Sequence, residues 1–209
     1  MTRISRVGQF DRKIQFLDEF HHIINETTEL GYVAIAPDLY HGKVTDDPKV
    51  AIQLLNSLPK DRALRDLKAT VDKLAAMDNV QKDKVGSIGW CMGGMYSLQL
   101  ALNDDRVKAC AMCYGSVVTD ADKLKPLNAK MLGIFGEDDK GIKAADVRAF
   151  EQALKTAGKS VDQIKIYQGA GHGFMRPMNG TMKNPEYRET AAMDAWQLID
   201  AFFVNSLKK

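Results

Sequence analysis

A cysteine flanked by glycines is the strongest chemical signal in the sequence. Residues 89–94 read Gly-Trp-Cys-Met-Gly-Gly and lie between a strand-like run (84–89) and a helical pattern (91–102). This G-x-nucleophile-x-G spacing predicts a sharp strand-to-helix turn that presents the Cys91 thiol as a nucleophile. The following helix N-terminus would lower the pKa of that thiol, and the Met92 N–H would stabilise an oxyanion. The alternative is a buried cysteine in an ordinary glycine-rich turn.

Two patterns further along the chain supply a base and an acid. Residues 169–174 (GAGHGF) follow the last predicted strand, so His172 is placed in a glycine loop at a strand's carboxyl end. There it could act as general base and then general acid. Residues 136–139 (GEDD) follow another predicted strand, and a carboxylate there could orient the imidazole ring, although three consecutive acids are also typical of a solvated turn. The order nucleophile, acid, histidine is that of one large class of hydrolases.

The other histidines and cysteines are weaker candidates. His21 and His22 fall on a predicted helix, and His41 follows a Pro-Asp-Leu-Tyr segment. Cys110 and Cys113 form a C-x-x-C pair within a predicted strand, where their side chains cannot both share one face, so we expect core residues. The sequence therefore implies no metal and no organic cofactor.

Short apolar runs alternate with longer helical patterns along the chain. This alternation predicts an α/β fold, with a parallel sheet covered by helices on both faces and functional groups at the carboxyl ends of its strands. Strands are predicted at residues 4–7, 32–36, 84–89, 107–113, 131–135 and 161–167, and helices at 11–30, 49–58, 61–77, 91–102, 144–157 and within 185–207.

Composition narrows the class of protein. The 209 residues suit a single domain, 1–209, and the net charge of +2 with intermixed acids and bases does not suggest nucleic acid or a membrane surface as partner. Residues 1–10 lack the apolar core of a secretory signal, and no apolar run reaches the length of a membrane span. An odd count of three cysteines favours reduced thiols and a cytoplasmic location. A monomer is the default expectation.

With these residues in view, the chain resembles the dienelactone hydrolase family of α/β-hydrolases from about Gly31 to its C-terminus. A cysteine in the nucleophile turn separates this family from most hydrolases of the fold, which use serine. The stretches that carry the resemblance are 31–42 (GYVAIAPDLYHG), 86–94 (GSIGWCMGG), 113–116 (CYGS), 133–142 (GIFGEDDKGI), 167–177 (YQGAGHGFMRP) and 191–203 (AAMDAWQLIDAFF).

The resemblance implies a hydrolase that cleaves a small ester or lactone with a Cys91-His172-Asp triad and a thioester intermediate. The family's spacing puts Asp139 in the acid role, with Asp138 as the second choice. Arg176 matches an arginine that helps to hold the substrate carboxylate, and Met92 matches the residue whose backbone N–H serves the oxyanion hole. The implied sheet has about five to six strands and lacks the usual N-terminal edge strands.

The N-terminal segment departs from the family's pattern of a strand that ends in His-Glu and supplies a second oxyanion donor. Without a gap, the glutamate position falls on Arg12, and a gapped alignment offers Glu19 instead. We therefore expect a shortened, diverged or wrongly started form. This leaves two other functions open: a catalytically weak homologue that acts as a binding protein, and a cysteine peptidase or thioesterase with the same three residues.

Overall fold

The computed structural model describes residues 31–45, 47–176 and 184–208. The chain divides into two compact units, Met1–Pro59 and Lys60–Lys209. The predicted strand at 4–7 and the predicted helix at 11–30 lie outside the described residues.

The first unit contains one described helix, α1 (Pro48–Ser57). Its N-cap, Asp47, accepts a hydrogen bond from the Lys49 N–H at 2.8 Å, which satisfies one of the free donors of the first turn. The predicted strand at residues 32–36 is wrong, because no ladder of hydrogen bonds pairs it with another described segment. The apolar run there indicates partial burial, but a strand also needs a pairing partner, which the run does not specify.

The second unit is built on a parallel four-stranded sheet with the strand order β1-β2-β3-β4. Each pair of neighbours is parallel and is joined by a helical crossover, which confirms the predicted α/β architecture. The elements in chain order are α2 (Lys60–Ala75), β1 (Val85–Trp90), α3 (Met92–Asn103), β2 (Val107–Cys113), α4 (Ala121–Leu124), β3 (Lys130–Gly136), α5 (Ala144–Thr156), β4 (Val161–Tyr167), α6 (Glu189–Phe203) and a π-helical turn (Val204–Lys208).

The two central strands lie in the core of this unit. β2 and β3 are buried along almost their whole length, as expected for parallel strands covered on both faces. Helices flank the sheet, and the helix predictions for this unit match the observed elements to within a few residues at each end. Within the described ranges, no helix is long and apolar enough to cross a membrane.

Two contacts fix the helices next to the end of β1. The buried Ser97 hydroxyl of α3 donates to the Ser87 hydroxyl of β1 at 2.9 Å, so a polar pair is satisfied between helix and strand. Trp196 of α6 packs against Trp90, the last residue of β1, with 5.5 Å between the ring centroids. β1 is thereby held between the helix that follows it and the C-terminal helix.

Truncating the centre of α3 should destabilise the unit that carries the site. Leu98 is fully buried, so Leu98→Ala should lower the free energy of unfolding by about 2–5 kcal/mol through lost burial and the cavity left behind. Met193→Ala, at a position 58% exposed, is the control and should stay within about 0.5 kcal/mol of the parent. Urea denaturation followed by circular dichroism measures both, and equal losses would contradict this packing.

Candidate active site

Cys91 is the single residue between β1 and α3. Its backbone angles, φ 55° and ψ −118°, are rare for a side-chain-bearing residue and cost roughly 1–3 kcal/mol. The surrounding backbone compensates, because the Cys91 N–H donates to the Cys113 carbonyl at 3.0 Å and its carbonyl accepts from the Met95 N–H at 3.2 Å. A Cβ at Gly89 would overlap the Gly93 carbonyl, so this tight turn requires glycine there. The turn leaves Cys91 exposed at the N-terminus of α3.

Asp139 lies just beyond β3, and both oxygens of its carboxylate have hydrogen-bond partners. Oδ2 pairs with Nδ1 of His172 at 2.7 Å, and Oδ1 accepts from the N–H groups of Gly141 (2.8 Å) and Ile142 (2.9 Å). The Asp139 side chain is only 1% exposed, whereas Asp138 is exposed to solvent. Of the two candidate acids, Asp139 is therefore the one that contacts the histidine.

The acid and histidine loops are joined through their backbones. The Glu137 N–H donates to the Tyr167 carbonyl and the Asp138 N–H donates to the Ala170 carbonyl, both at 2.9 Å. A Cβ at Gly136 would overlap the Ala170 carbonyl, so glycine permits this close approach. Because β3 and β4 are parallel neighbours, their extensions run side by side and bring the two loops together.

The thiol of Cys91 and the imidazole of His172 form a hydrogen-bonded pair that favours the charged forms of both. The hydrogen bond with His172 lowers the pKa of Cys91 more than partial burial raises it, and a hydrogen bond from the Met92 N–H lowers it further. The hydrogen bond with Cys91 raises the pKa of His172 to about 9, desolvation opposes it, and the Asp139 contact adds to the rise. Near neutral pH these shifts favour a thiolate beside an imidazolium.

Tyr114 is a contact of the histidine that the sequence analysis did not single out. It follows β2 directly, has a positive φ of 37°, and its N–H donates to the Ile134 carbonyl at 2.7 Å. Its ring meets the His172 ring edge-on at a centroid distance of 5.3 Å and Phe174 at 5.9 Å. The available signal was its place at the carboxyl end of a buried strand, within the CYGS stretch.

The remaining candidates lie as follows. Arg176 is half-buried at the end of the His172 loop, where its N–H donates to the Gly173 carbonyl at 2.9 Å; its role toward a substrate stays a prediction. Cys110 and Cys113 are free and fully buried, and burial raises the pKa of both, to about 11 for Cys110. Among the described residues, no group of three or more Cys, His, Asp or Glu side chains is arranged to hold a metal ion.

A strand–cysteine–helix turn, followed by an acid loop and a histidine loop at the carboxyl ends of parallel strands, defines an α/β-hydrolase. Solved structures agree. A protein described as "Putative Dienelactone Hydrolase" from Klebsiella pneumoniae superposes with a TM-score of 0.78 at 27% identity, over 90% of this chain and 81% of its own. The metagenomic dienelactone hydrolase-like phosphotriesterase P91 shares the fold, with a TM-score of 0.77 at 23% identity, over 90% and 81% of the two chains.

The chain belongs to the dienelactone hydrolase family, whose sequence profile matches residues 14–207. A "Putative carboxymethylenebutenolidase" of Methylorubrum extorquens is 29% identical over 87% of this chain and 65% of its own length, so the chain spans slightly less than two thirds of that relative. A Synechocystis protein with the same description is 31% identical over 97% of this chain and 89% of its own. The family match begins at residue 14, so it includes part of the segment where the sequence departs from the family's strand motif.

Replacing His172 should raise the pKa of the Cys91 thiol. His172→Ala removes the largest cause of the lowered value, so the pKa should move toward the ordinary 9.0. Ultraviolet absorbance of the thiolate, followed against pH, measures the shift, and Cys91→Ser identifies the signal that belongs to this residue. Gln152→Ala, at an exposed position on α5, should leave the titration unchanged. A titration that His172→Ala does not move would contradict the pairing.

Proposed function

We propose that this protein hydrolyses a small carboxylic ester or lactone with Cys91 as nucleophile, His172 as proton carrier and Asp139 as the group that orients the imidazole. One observation carries the proposal: the continuous hydrogen-bonded chain from the Cys91 thiol through His172 to Asp139, at the carboxyl ends of the parallel strands. Membership of the dienelactone hydrolase family supports the same reaction class.

In the first half of the reaction, the Cys91 thiolate attacks the carbonyl carbon and forms a tetrahedral oxyanion. The Met92 N–H, at the start of α3, points toward the sulfur and would donate to that oxyanion. Such a donor in general contributes roughly 3 kcal/mol. When the carbon–oxygen bond of the ester breaks, the His172 imidazolium gives its proton to the leaving alkoxide. The products of this half are an alcohol, or the alcohol end of an opened lactone, and a thioester on Cys91.

In the second half, His172 acts as a base because the negative charge of the Cys91 thiolate beside it has disappeared. The contact with Cys91 is the largest cause of its raised pKa, so conversion of the thiolate to a thioester lowers that pKa and leaves a neutral imidazole. The imidazole takes a proton from water as the water attacks the thioester. Collapse of the second tetrahedral intermediate breaks the carbon–sulfur bond, releases the carboxylic acid and restores the thiolate–imidazolium pair.

Asp139 would stabilise the imidazolium and hold its ring with Nε2 toward the sulfur. It is suited to this because two backbone N–H groups hold Oδ1, which fixes the carboxylate and leaves Oδ2 directed at the ring. The buried position of Asp139 makes its contact with His172 stronger than an exposed pair would be.

For the substrate, we propose a small ester or lactone that carries a carboxylate, since Arg176 stands four residues after His172, at the position where the family resemblance places an arginine for the substrate carboxylate. The carboxymethylenebutenolidase description of the relatives fits such a compound. The three free cysteines suit a reducing compartment, so we place the reaction in the cytoplasm, with a monomer as the working unit.

The rate should have a bell-shaped dependence on pH. Below the lowered pKa of Cys91 the nucleophile is protonated, so kcat/KM should fall as the pH decreases. Above about 9 the imidazolium loses the proton that the leaving group needs, so kcat/KM should fall again. Hydrolysis of an unactivated alkyl ester or lactone, whose leaving alkoxide must be protonated, measures both limbs across this range. A rate that rises steadily to high pH would indicate hydroxide attack without the pair.

Substituting the two neighbouring acids one at a time separates the proposed role of Asp139 from a general effect of negative charge in this loop. Asp139→Asn keeps the shape but loses the carboxylate on His172, so kcat should fall by a factor on the order of 10²–10⁴. Asp138→Asn, one residue away and exposed, should stay close to the parent. Turnover of p-nitrophenyl acetate and of dihydrocoumarin measures both variants.

The parent's substrate range and Cys91→Ala complete this test. Equal losses in the two acid variants, or turnover that survives Cys91→Ala, would contradict the mechanism. Hydrolysis of acyl-CoA or peptides without any of lactones would instead indicate a thioesterase or peptidase.

A further inference from the structure

The segment formed by residues 184–188, just before α6, lies against the loop that carries His172. We call it the brace. It contacts the loop at both ends and in the middle, through side chains and backbone, and neither the sequence patterns nor the family resemblance assigned it a role.

Both polar atoms of the Asn184 side chain are hydrogen-bonded, the nitrogen to the loop and the oxygen within the brace. Its amide nitrogen donates to the carbonyls of Gly173 (3.0 Å) and Arg176 (2.8 Å), and its oxygen accepts from the Glu186 N–H at 3.1 Å. The two carbonyls bracket the turn that follows His172, in which the Arg176 N–H also donates to Gly173. Asn184 therefore fixes the exit of the loop and the shape of the brace at the same time.

Arg188 holds the entrance of the loop. Its Nε donates to the Gly169 carbonyl at 2.9 Å, and its backbone N–H donates to the Phe174 carbonyl at 3.1 Å. Between these points the carboxylate of Glu186 occupies the space beside Gly171, where a Cβ would overlap it. The backbone of the loop is therefore held by hydrogen bonds on both sides of His172.

The loop needs this support because its own sequence does not specify one conformation. Gly169 and Gly173 both adopt positive φ, of 68° and 75°, and glycine residues of this kind lose much conformational freedom when they are ordered. The His172 side chain is 42% exposed, so packing alone does not hold it. Asp139 binds one nitrogen of the ring, yet the position of the other nitrogen also depends on where the backbone stands.

We propose that Asn184 and Arg188 are positioning residues for His172: by clamping the two ends of its loop, they set the distance and alignment between the imidazole and the Cys91 thiol. The inference rests on the proposed pairing of Cys91 with His172. It follows that loosening the brace weakens the pair even though neither residue touches the sulfur or a substrate.

The test is the pH dependence of Cys91 alkylation by iodoacetamide in Asn184→Leu. Leucine keeps the branching of asparagine at Cγ and has no charge, so it removes three hydrogen bonds without acting on the thiol electrostatically. The brace predicts that the apparent pKa of Cys91 rises by about one unit, which makes alkylation roughly tenfold slower at pH values below both the parent and the variant pKa. The kcat for p-nitrophenyl acetate should fall with it, while KM changes little.

Two further variants complete the design. Asn103→Leu removes an amide that likewise donates to a backbone carbonyl, that of Gln99, on an exposed helix end, and it should leave the alkylation profile unchanged. Arg188→Lys keeps the charge but removes the Nε donor to Gly169, and it should shift the profile in the same direction as Asn184→Leu. This variant also decides the question if Asn184→Leu does not fold.

The outcomes separate the brace from a purely structural role and from the proposed function. A lower melting temperature with an unchanged thiol pKa in folded Asn184→Leu or Arg188→Lys would overturn the positioning role. A parent protein whose Cys91 alkylates with an ordinary thiol pKa would instead overturn the pairing itself, and the brace proposal with it. Alkylation needs no turnover, so it reports on the pair even where hydrolysis is too slow to measure.

Discussion

The contact between the Cys91 thiol and His172 is the interaction on which the account of this protein depends, and it can form only because Cys91 is held in an unfavourable backbone conformation. One residue separates β1 from α3, so the chain reverses at positive φ and the side chain is exposed at the helix N-terminus. The hydrogen bonds of its backbone to Cys113 and Met95 hold this conformation. The stability of the β1–β2 pair and of α3 is thereby coupled to the chemistry of one sulfur.

The order of the sheet explains why two distant loops reach that sulfur. β3 and β4 are parallel neighbours, and backbone hydrogen bonds continue past their ends, so the acid loop and the histidine loop are joined before any side chain contributes. Asp139 then contacts His172 from a buried position, and Tyr114, from the end of β2, closes one side of the ring. Each of strands β1 to β4 thus ends in a residue or loop that contributes to the surroundings of Cys91 and His172.

The sequence predicted much of this arrangement because the relevant signals are local. Alternating apolar runs and helical patterns are properties of short segments, so β2 and β4 were predicted with their observed bounds, and the glycines around Cys91 and His172 marked sharp turns. Segment 32–36 was predicted wrongly as a strand, since pairing depends on a partner elsewhere in the chain. The choice between Asp138 and Asp139 was left to the family's spacing, and the contacts of Asn184, Arg188 and Tyr114 could not be foreseen, because each depends on three-dimensional proximity between segments.

The most direct measurement is the chemical identity of the intermediate formed during turnover. Acid quenching of p-nitrophenyl acetate hydrolysis, followed by peptide mass spectrometry, locates the acetyl group. The account predicts an acetyl thioester on the peptide that contains Cys91, and none on the peptides that contain the buried Cys110 and Cys113. An acetyl group on another residue during normal turnover, or continued hydrolysis after Cys91 has been blocked, would contradict it.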